Sequence, residues 1–365
     1  MGQRRKPWFC RKIARWTNER PRSFASAPPR QRRCYLEPNP SRVPIAPNQT
    51  LDGRVVASTG HWSSVVLEGA APGDEPIRAR LPGRFRLDER VETNPLAVGD
   101  RVTLRGVEDG TAIVETMHLR TNALRRRAAG RRVGAEAVLA ANVDRAWVVQ
   151  SADLPRLNPG LVDRFLVTCE REEIPAGIVV NKMDLANADD ALRGEVEAFA
   201  ALYTGIGYPV LTVSTHTGDG LDAWRDALAG RLSVLAGASG VGKSSLLNAA
   251  VPGLSLRTQA VSGRTRKGTH TTTNAALYNL PTGGFVVDTP GVREFGVVDI
   301  PLDDLGFYFR EFQPFIGDCR FQPCTHDHEP DCAVMAALDD GLISEQRYDS
   351  YLSILDSLRL GDRGR

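Results

Sequence analysis

The sequence predicts an α/β protein with three parts: a small β-barrel, a parallel sheet covered by helices, and a zinc-binding helical module. Between residues 136 and 298, apolar strands alternate with helical stretches, which is the pattern of a parallel sheet with helices on both faces. About five short β-type runs, separated by turn residues, fill residues 50–122. Within residues 299–365, three cysteines and a histidine lie close together, which indicates a metal site.

Length and composition limit the classes of protein that this chain can be. Its 365 residues suffice for two or three domains, and its hydrophobic content of 42% is that of a globular protein. No apolar run approaches the length of about 18 residues that a membrane span needs. The six cysteines are too few and too unevenly spaced for a disulfide framework. We therefore expect a cytoplasmic protein without a membrane partner.

Residues 1–49 form a basic arm that we expect to be disordered. Residues 1–33 carry eleven Lys and Arg against the single acid Glu19, a charge of +10. Because the whole chain carries +2, the remainder carries −8. The arm could hold RNA phosphates, or it could be a transit-like segment or an overlong start, and charge alone does not choose among them.

The barrel at residues 50–122 is expected to be OB-like because five short strands are predicted there. The arginines at 125–127, 131 and 132 follow it, mostly within a basic linker that we place at residues 123–135. Arginines beside a barrel of this kind favour a nucleic-acid surface. The alternatives are a purely structural barrel and a solvated basic linker.

Within residues 136–298, four predicted strands alternate with three predicted helices. The strands are 146–149, 178–180, 210–213 and 232–235, and the helices are 161–173, 188–203 and 221–230. This alternation continues through the segment that carries the strongest motif of the chain.

A glycine-rich loop with the pattern G-x-x-x-x-G-K-S directly follows the last of these strands. The loop consists of Gly237, Ala238, Ser239, Gly240, Val241, Gly242, Lys243, Ser244 and Ser245. Glycines let successive backbone N–H groups surround an anion at the start of a helix. Lys243 would reach the β- and γ-phosphates of a nucleotide, and Ser244 would ligate the Mg²⁺ that bridges them. The alternative is a glycine-rich turn with an incidental lysine.

A second motif, N-K-x-D, ends the strand at 178–180. It consists of Asn181, Lys182, Met183 and Asp184. A carboxylate can accept hydrogen bonds from both N1–H and N2–H₂ of guanine, whereas adenine offers no such pair. We predict that Asp184 selects guanine, that Asn181 holds the loops together, and that the Lys182 stem covers the ring. On its own, the motif could instead be a strand-end turn with an Asp cap.

Three weaker signals complete a set of nucleotide contacts. Ser214 and Thr215 follow the next strand and could present backbone N–H groups to the guanine carbonyl, although such residues often form only a turn. One threonine of the polar run that ends at residue 273, best Thr271, could complete the Mg²⁺ shell, with the choice among residues 271–273 left open; the alternative is a plain flexible loop. Asp288 and Gly291 form D-x-x-G, with the carboxylate toward Mg²⁺ and the glycine N–H toward the γ-phosphate.

These five motifs match the signatures of GTPases, but base recognition at 181 and 214 precedes phosphate recognition at 237, 271 and 288. Together with the barrel and the cysteines, residues 50–360 therefore resemble the RsgA family, also called YjeQ or YloQ, of circularly permuted GTPases. The resemblance implies hydrolysis of GTP to GDP and phosphate with Mg²⁺, during late maturation of the small (30S) ribosomal subunit. It also implies rRNA binding, and we expect a monomer.

The catalytic set is predicted to be His270, Lys243 and Thr271. Val292 follows D-x-x-G, where Ras-like enzymes carry a glutamine that orients water. An isopropyl group cannot do this, so intrinsic hydrolysis should be slow. The resemblance and the chemistry of imidazole both indicate that His270 orients water once a partner orders its loop. The alternative is an idle loop histidine.

The cysteine cluster has the spacing C-x₄-C-x-H-x₅-C, formed by Cys319, Cys324, His326 and Cys332. Three thiolates and one imidazole suit a closed, structural Zn²⁺ site. The family resemblance agrees with these four ligands. His328 is a nearby competitor, and three free structural cysteines are the alternative.

Two rival functions stay open at this stage. The first is an RNA-binding scaffold in which nucleotide is a structural ligand with negligible turnover. The second is a metal-trafficking GTPase that uses the cysteine cluster as a transfer site. Stimulation of phosphate release by small subunits would distinguish a GTPase from the scaffold of the first rival. Tightly bound zinc that does not exchange would argue against the second.

Overall fold

A computed structural model describes residues 45–59, 61–71, 74–86, 95–127, 136–251, 276–288 and 300–363. Residues 1–44, which include nearly all of the predicted basic arm, lie outside the described residues. None of the helices within the described residues combines the length and the apolar composition that crossing a bilayer requires.

The first described domain is a closed five-stranded barrel, which confirms the predicted OB-like barrel. Its strands are β1 (Thr50–Thr59), β2 (Trp62–Leu67), β3 (Ile77–Arg80), β4 (Arg101–Gly106) and β5 (Ala112–Met117). They follow the order β1-β2-β3-β5-β4, and β4 pairs back with β1. Only the pairing of β3 with β5 is parallel within the barrel. Alternate apolar residues such as Val55, Val65 and Val102 fill the interior.

A two-stranded antiparallel ribbon follows the barrel: β6 (Ala123–Arg127) pairs with β7 (Glu136–Ala141). Residues 123–127, expected to belong to a basic linker, are therefore a strand. The reason is that Leu124, Val138 and Ala140 are buried, so this segment has an apolar side. Arg125 forms an ion pair with Glu172 of the next domain. It is thus engaged within the protein rather than presented to a nucleic acid.

The central domain is built on a six-stranded sheet. Its strands are β8 (Arg145–Ser151), β9 (Ala176–Asn181), β10 (Val210–Thr212), β11 (Leu232–Ala236), β12 (Ala276–Asn279) and β13 (Phe285–Asp288). The order is β10-β9-β8-β11-β13-β12, and only β12 runs antiparallel to its neighbour. Strands β9 and β11 are buried along their whole length, as expected of a parallel sheet with both faces covered. The predicted alternating domain is confirmed, and β12 is an addition.

In the described part of this domain, five helices connect the strands: α1 (Pro159–Arg171), α2 (Met183–Asn187), α3 (Asp190–Gly205), α4 (Leu221–Leu228) and α5 (Lys243–Ala250). The helix predicted at 188–203 is α3, and α2 precedes it as a separate short turn. The break falls at Asp189, whose carboxylate accepts hydrogen bonds from the N–H groups of Ala191 and Leu192. Asp189 is therefore an N-cap that starts a new helix.

The C-terminal module contains a 3-10 helix (Leu302–Tyr308), α6 (Gln313–Ile316), α7 (Ala333–Asp339) and α8 (Glu345–Arg363). Its own core includes stacked Phe309 and Phe312, with Tyr351 against both rings. The apolar side of α8 packs within this module.

One buried arginine fixes this module to the central domain. The Arg347 guanidinium, fully buried, donates to the carboxylates of Asp163 in α1 and Glu311. Burial lowers the pKa of Arg347, but the two carboxylates raise it by more, so the net shift is upward and the charge persists. Tyr203 also donates to Asp163 at 2.6 Å. The module is therefore held by charges that water does not screen.

Candidate nucleotide and zinc sites

The phosphate loop (residues 237–245) leaves β11 at the centre of the sheet and leads into α5. Gly237, Gly240 and Gly242 have φ values of +141°, +89° and +97°, which side chains rarely adopt. A Cβ at Gly237 would lie 2.3 Å from the carbonyl oxygen of Val149 in β8. Only glycine fits there, because the loop passes directly against the neighbouring strand. The backbone is thus shaped around the start of a helix, where anions bind.

Lys243 opens α5 and folds back across the phosphate loop. Its Nζ donates to the carbonyl oxygens of Gly237 and Ala238 at 2.7 and 2.8 Å. The ammonium group therefore already lies over the loop that would hold phosphates. Ser244 and Ser245 are half-buried in the first turn of α5. The structure brings the lysine and the predicted magnesium-binding serine together at one helix start.

Asn181 joins the phosphate loop to the predicted base-recognition segments. It ends β9 and is fully buried. Its Nδ2 donates to the carbonyl oxygen of Val241 at 3.1 Å, and its Oδ1 accepts from the N–H of Thr215 at 3.3 Å. A Cβ at Gly242 would lie 2.1 Å from that Nδ2. One side chain thus holds three loops, from distant parts of the chain, in contact.

Asp184 is oriented by the serine of the next motif. The Ser214 hydroxyl donates to Asp184 Oδ1 at 2.6 Å and accepts from the N–H groups of His216 and Thr217. The backbone N–H of Ser214 donates to the carbonyl of Asp219. In this structure its N–H is therefore engaged within the turn, and its hydroxyl orients Asp184. Within the described residues, Asp184 Oδ2 has no hydrogen-bond partner, so it can accept from a base.

Lys182 has a contact that sequence reasoning missed. It adopts a left-handed backbone with φ of +63°, and its Nζ donates to the carbonyl of Leu154 in the loop after β8. Burial lowers the pKa of Lys182, while Asp153 and Asp184 raise it. The loop after β8 therefore forms a wall beside the N-K-x-D motif. Nothing in residues 152–158 resembles a nucleotide-binding motif, so the sequence around this loop does not predict its contact with Lys182.

Several predicted site residues cannot be placed. His270, Thr271 and Gly291 lie outside the described residues. The backbone of Asp288 is described: it pairs with Leu235 in register, at the edge where β11 enters the phosphate loop. D-x-x-G thus starts next to the phosphate loop, as the motif order requires.

The four predicted zinc ligands converge, with their ligand atoms all within 4.8 Å of one another. His326 Nδ1 lies 3.5 Å from the Cys319 sulfur and 3.4 Å from the Cys332 sulfur. The Cys332 sulfur is 3.9 Å from that of Cys319 and 3.8 Å from that of Cys324. Tetrahedral Zn²⁺ with bonds of about 2.0–2.3 Å requires ligand separations of roughly 3.4–3.8 Å. These four separations are therefore compatible with one Zn²⁺.

The surroundings of the cluster are consistent with a metal. Burial raises the pKa of the Cys324 thiol to about 12 and also raises that of Cys332. Thiolates would therefore need a cation to form here. Tyr348 donates to the carbonyl of His326 at 2.8 Å and fixes the loop. The competitor His328 is 75% exposed and pairs with Asp327, so it lies outside the cluster.

Comparison with known proteins gives consistent matches. A family model described as RsgA GTPase matches residues 117–298. The small ribosomal subunit biogenesis GTPase RsgA of Bacteroides fragilis is 38% identical over 311 residues, which is 85% of this chain and 98% of that protein. The protein of the same name from Chlorobaculum parvum is 42% identical over 320 residues, covering 85% and 99%.

Two solved structures are also similar. YjeQ from Thermotoga maritima aligns with a TM-score of 0.70 and 35% identity, covering 85% of this chain and 99% of that one. YloQ, described as a circularly permuted GTPase, aligns with a TM-score of 0.67 and 30% identity, covering 86% and 96%. The rotated order of motifs in this chain is the order that such a permutation produces.

Proposed function

The chain belongs to the RsgA GTPase family, and we propose on that basis that it hydrolyses GTP to GDP and phosphate on the small ribosomal subunit during its late maturation. The observation that carries the proposal is the Asn181 bridge, because it joins the phosphate loop to both base-recognition segments. A single guanine nucleotide can then touch all three. An adenine nucleotide would leave the Asp184 carboxylate without its donors.

The proposed roles follow from where each group lies. Lys243 exchanges its two loop carbonyls for phosphate oxygens when a nucleotide enters, so that its charge faces the bond that breaks. Asp184, held by Ser214, accepts from the guanine edge. Ser244 and Thr271 are proposed to hold Mg²⁺, which neutralises charge between the β- and γ-phosphates when bound. Asp288 and Gly291 are proposed to act at the same end of the nucleotide.

Water activation is assigned to His270. Val292 stands where a glutamine would orient water, and its isopropyl group neither donates nor accepts a hydrogen bond. Imidazole can do both. The proposal therefore includes a slow intrinsic reaction and a faster one in which the ribosomal partner places His270.

The zinc cluster is proposed to be structural. Four protein ligands would complete a tetrahedral Zn²⁺ site and would leave no open position for substrate or for metal transfer. The ligands are buried, and Tyr348 and Tyr351 tie their loop to α8. This arrangement favours the structural role over the metal-trafficking alternative.

The barrel is proposed to contact rRNA through the face formed by β2 and β3. Arg78 lies over the ring of Trp62 at 4.1 Å, and Arg80 is in register with Trp62 across the two strands. Both arginines are exposed. An aromatic ring beside arginines can stack a base and hold a phosphate, which suits single-stranded RNA.

The decisive test is GTP hydrolysis with and without purified small subunits. We expect phosphate release to rise when small subunits are added and to stay low with large subunits. Lys243→Ala should abolish the response, because it removes the charge at the phosphate loop. Tight binding of small subunits without faster phosphate release would instead support the scaffold alternative.

A further inference from the structure

A cavity lies where the barrel meets the central domain, away from the phosphate loop. Its volume is about 250 Å³. The barrel contributes Arg54 and the turn after β2, and the central domain contributes the hairpin formed by β12 and β13, including Asn279 and Phe285. The rim residues Glu68 and Gly69 are exposed, so the cavity opens to solvent. We call it the junction cavity.

Arg54 is the charged group inside the junction cavity. Its guanidinium lies over the ring of Phe285 at 5.9 Å and is half-buried. Within the described part of the chain, it has no hydrogen bond and no ion pair. Burial lowers the pKa of Arg54, and the nearby carboxylates of Asp144 and of Glu68, on the rim of the cavity, raise it, although neither forms an ion pair with it. A partly desolvated guanidinium without a direct ion pair favours the binding of an anion.

A second arginine strengthens the positive character of this edge. Arg54 and Arg101 are direct partners in the antiparallel pairing of β1 with β4. Directly opposed side chains point to the same face of a sheet, and like charges in such a pair repel. Arg101 is exposed and lowers the pKa of Arg54. An anion that bridges the two guanidinium groups would reduce this repulsion.

We propose that the junction cavity binds a phosphate group of the RNA backbone, held by Arg54 and the carboxamide of Asn279, with the exposed Arg101 beside the cavity. The proposal rests on the proposed function, since it takes RNA as the ligand of the barrel. The barrel face with Trp62 and Arg78 supplies the same chemistry, so one strand of RNA can follow the barrel to its junction with the central domain. Guanidinium groups in pairs suit phosphate because they donate in a fork.

Phosphate binding at this place would reach the catalytic segments through the chain itself. The cavity is lined by the hairpin of β12 and β13. The segment before β12 contains His270 and Thr271, and the segment after β13 contains Gly291. A ligand bound between the barrel and this hairpin therefore contacts the element that connects these two segments, both of which are proposed to act at the γ-phosphate. The hairpin thus links the RNA contact to GTP hydrolysis.

The test is the salt dependence of binding to a single-stranded oligouridylate. Each phosphate contact contributes about 0.7 to the slope of log K against log salt for single strands. We expect Arg54→Gln to lower that slope by about 0.7 and to weaken binding roughly five- to tenfold. Arg54→Lys should recover most of the slope, because it restores the charge. Arg193→Gln, which removes an exposed arginine from α3, is the matched control and should change neither quantity.

The outcomes separate this inference from the proposed function. An unchanged slope in a folded Arg54→Gln protein, checked by thermal unfolding, overturns the inference. The proposed function would still stand if small subunits stimulate the wild-type protein, and it would fall if they do not. A second arm uses inorganic phosphate: a rise in Tm that requires Arg54, together with an unchanged oligouridylate slope, would assign the cavity to a free anion and would also overturn the inference.

Discussion

Replacing Asn181 with alanine should lower the affinity of the protein for guanine nucleotides. The fully buried carboxamide makes two hydrogen bonds, one to the Val241 carbonyl and one from the Thr215 N–H. Each buried hydrogen bond contributes about 0.5–1.5 kcal/mol, so the two together contribute about 1–3 kcal/mol. At about 1.4 kcal/mol per decade, the dissociation constant for GDP should rise roughly 5- to 150-fold.

A fluorescent GDP analogue, titrated at equilibrium, measures this change. The matched control is Asn187→Ala, which removes an exposed carboxamide at the end of α2 and should leave the affinity unchanged. Gly242→Ala offers a second route to the same contact, because its Cβ would lie 2.1 Å from the Asn181 Nδ2. The affinity lost through Gly242→Ala should therefore be smaller when residue 181 is already alanine.

Two results would refute this reasoning. One is an Asn181→Ala protein that binds guanine nucleotides as tightly as the wild type. The other is strict additivity between Asn181→Ala and Gly242→Ala, since residues in contact should show a coupling free energy. Either result would mean that the bridge between the loops does not support the nucleotide.

Four further predictions concern other parts of the molecule. Asp184→Asn should lose the preference for guanine over adenine nucleotides in competition binding, and an undiminished preference would place base recognition elsewhere. His270→Ala should lower subunit-stimulated phosphate release by about 10²- to 10⁴-fold with unchanged GDP affinity, and near-normal stimulated turnover would remove this histidine from the mechanism. Cys324→Ser should reduce bound zinc, measured by metal analysis, below the content of His328→Ala, and equal contents would contradict the assigned ligands. Arg347→Met should destabilise the protein by about 3–5 kcal/mol in urea unfolding, far more than Arg193→Met, because it leaves the Asp163 carboxylate buried with only the neutral Tyr203 hydroxyl as a partner.

Much of the architecture was predictable because it depends on patterns that are local in the chain. The buried strands β9 and β11 are continuous apolar runs, and each leads directly into its motif. The zinc ligands lie within fourteen residues, so their convergence needs only a loop to close. The permutation was also predictable, since it depends on motif order alone.

The contacts that sequence reasoning missed join residues that are far apart. Arg125 meets Glu172, and Lys182 meets the carbonyl of Leu154. Asp163 and Arg347 are separated by 184 positions. An isolated arginine or aspartate looks like a solvated surface residue, and only the packed helices show that it is buried. The same limit applies to Ser214, whose hydroxyl contact with Asp184 no sequence pattern predicted.

The ion pair between Arg347 and Asp163 also bears on the exchange of C-terminal modules between relatives. Without its module, the central domain would leave the Asp163 carboxylate beside Tyr203 with no guanidinium opposite it. We expect a chimera to keep its stability only if the incoming helix places a guanidinium opposite that acid. The contacts of Arg310 with Glu170 and of Arg164 with Ser357 cross the same boundary, so a compatible module would have to match them as well.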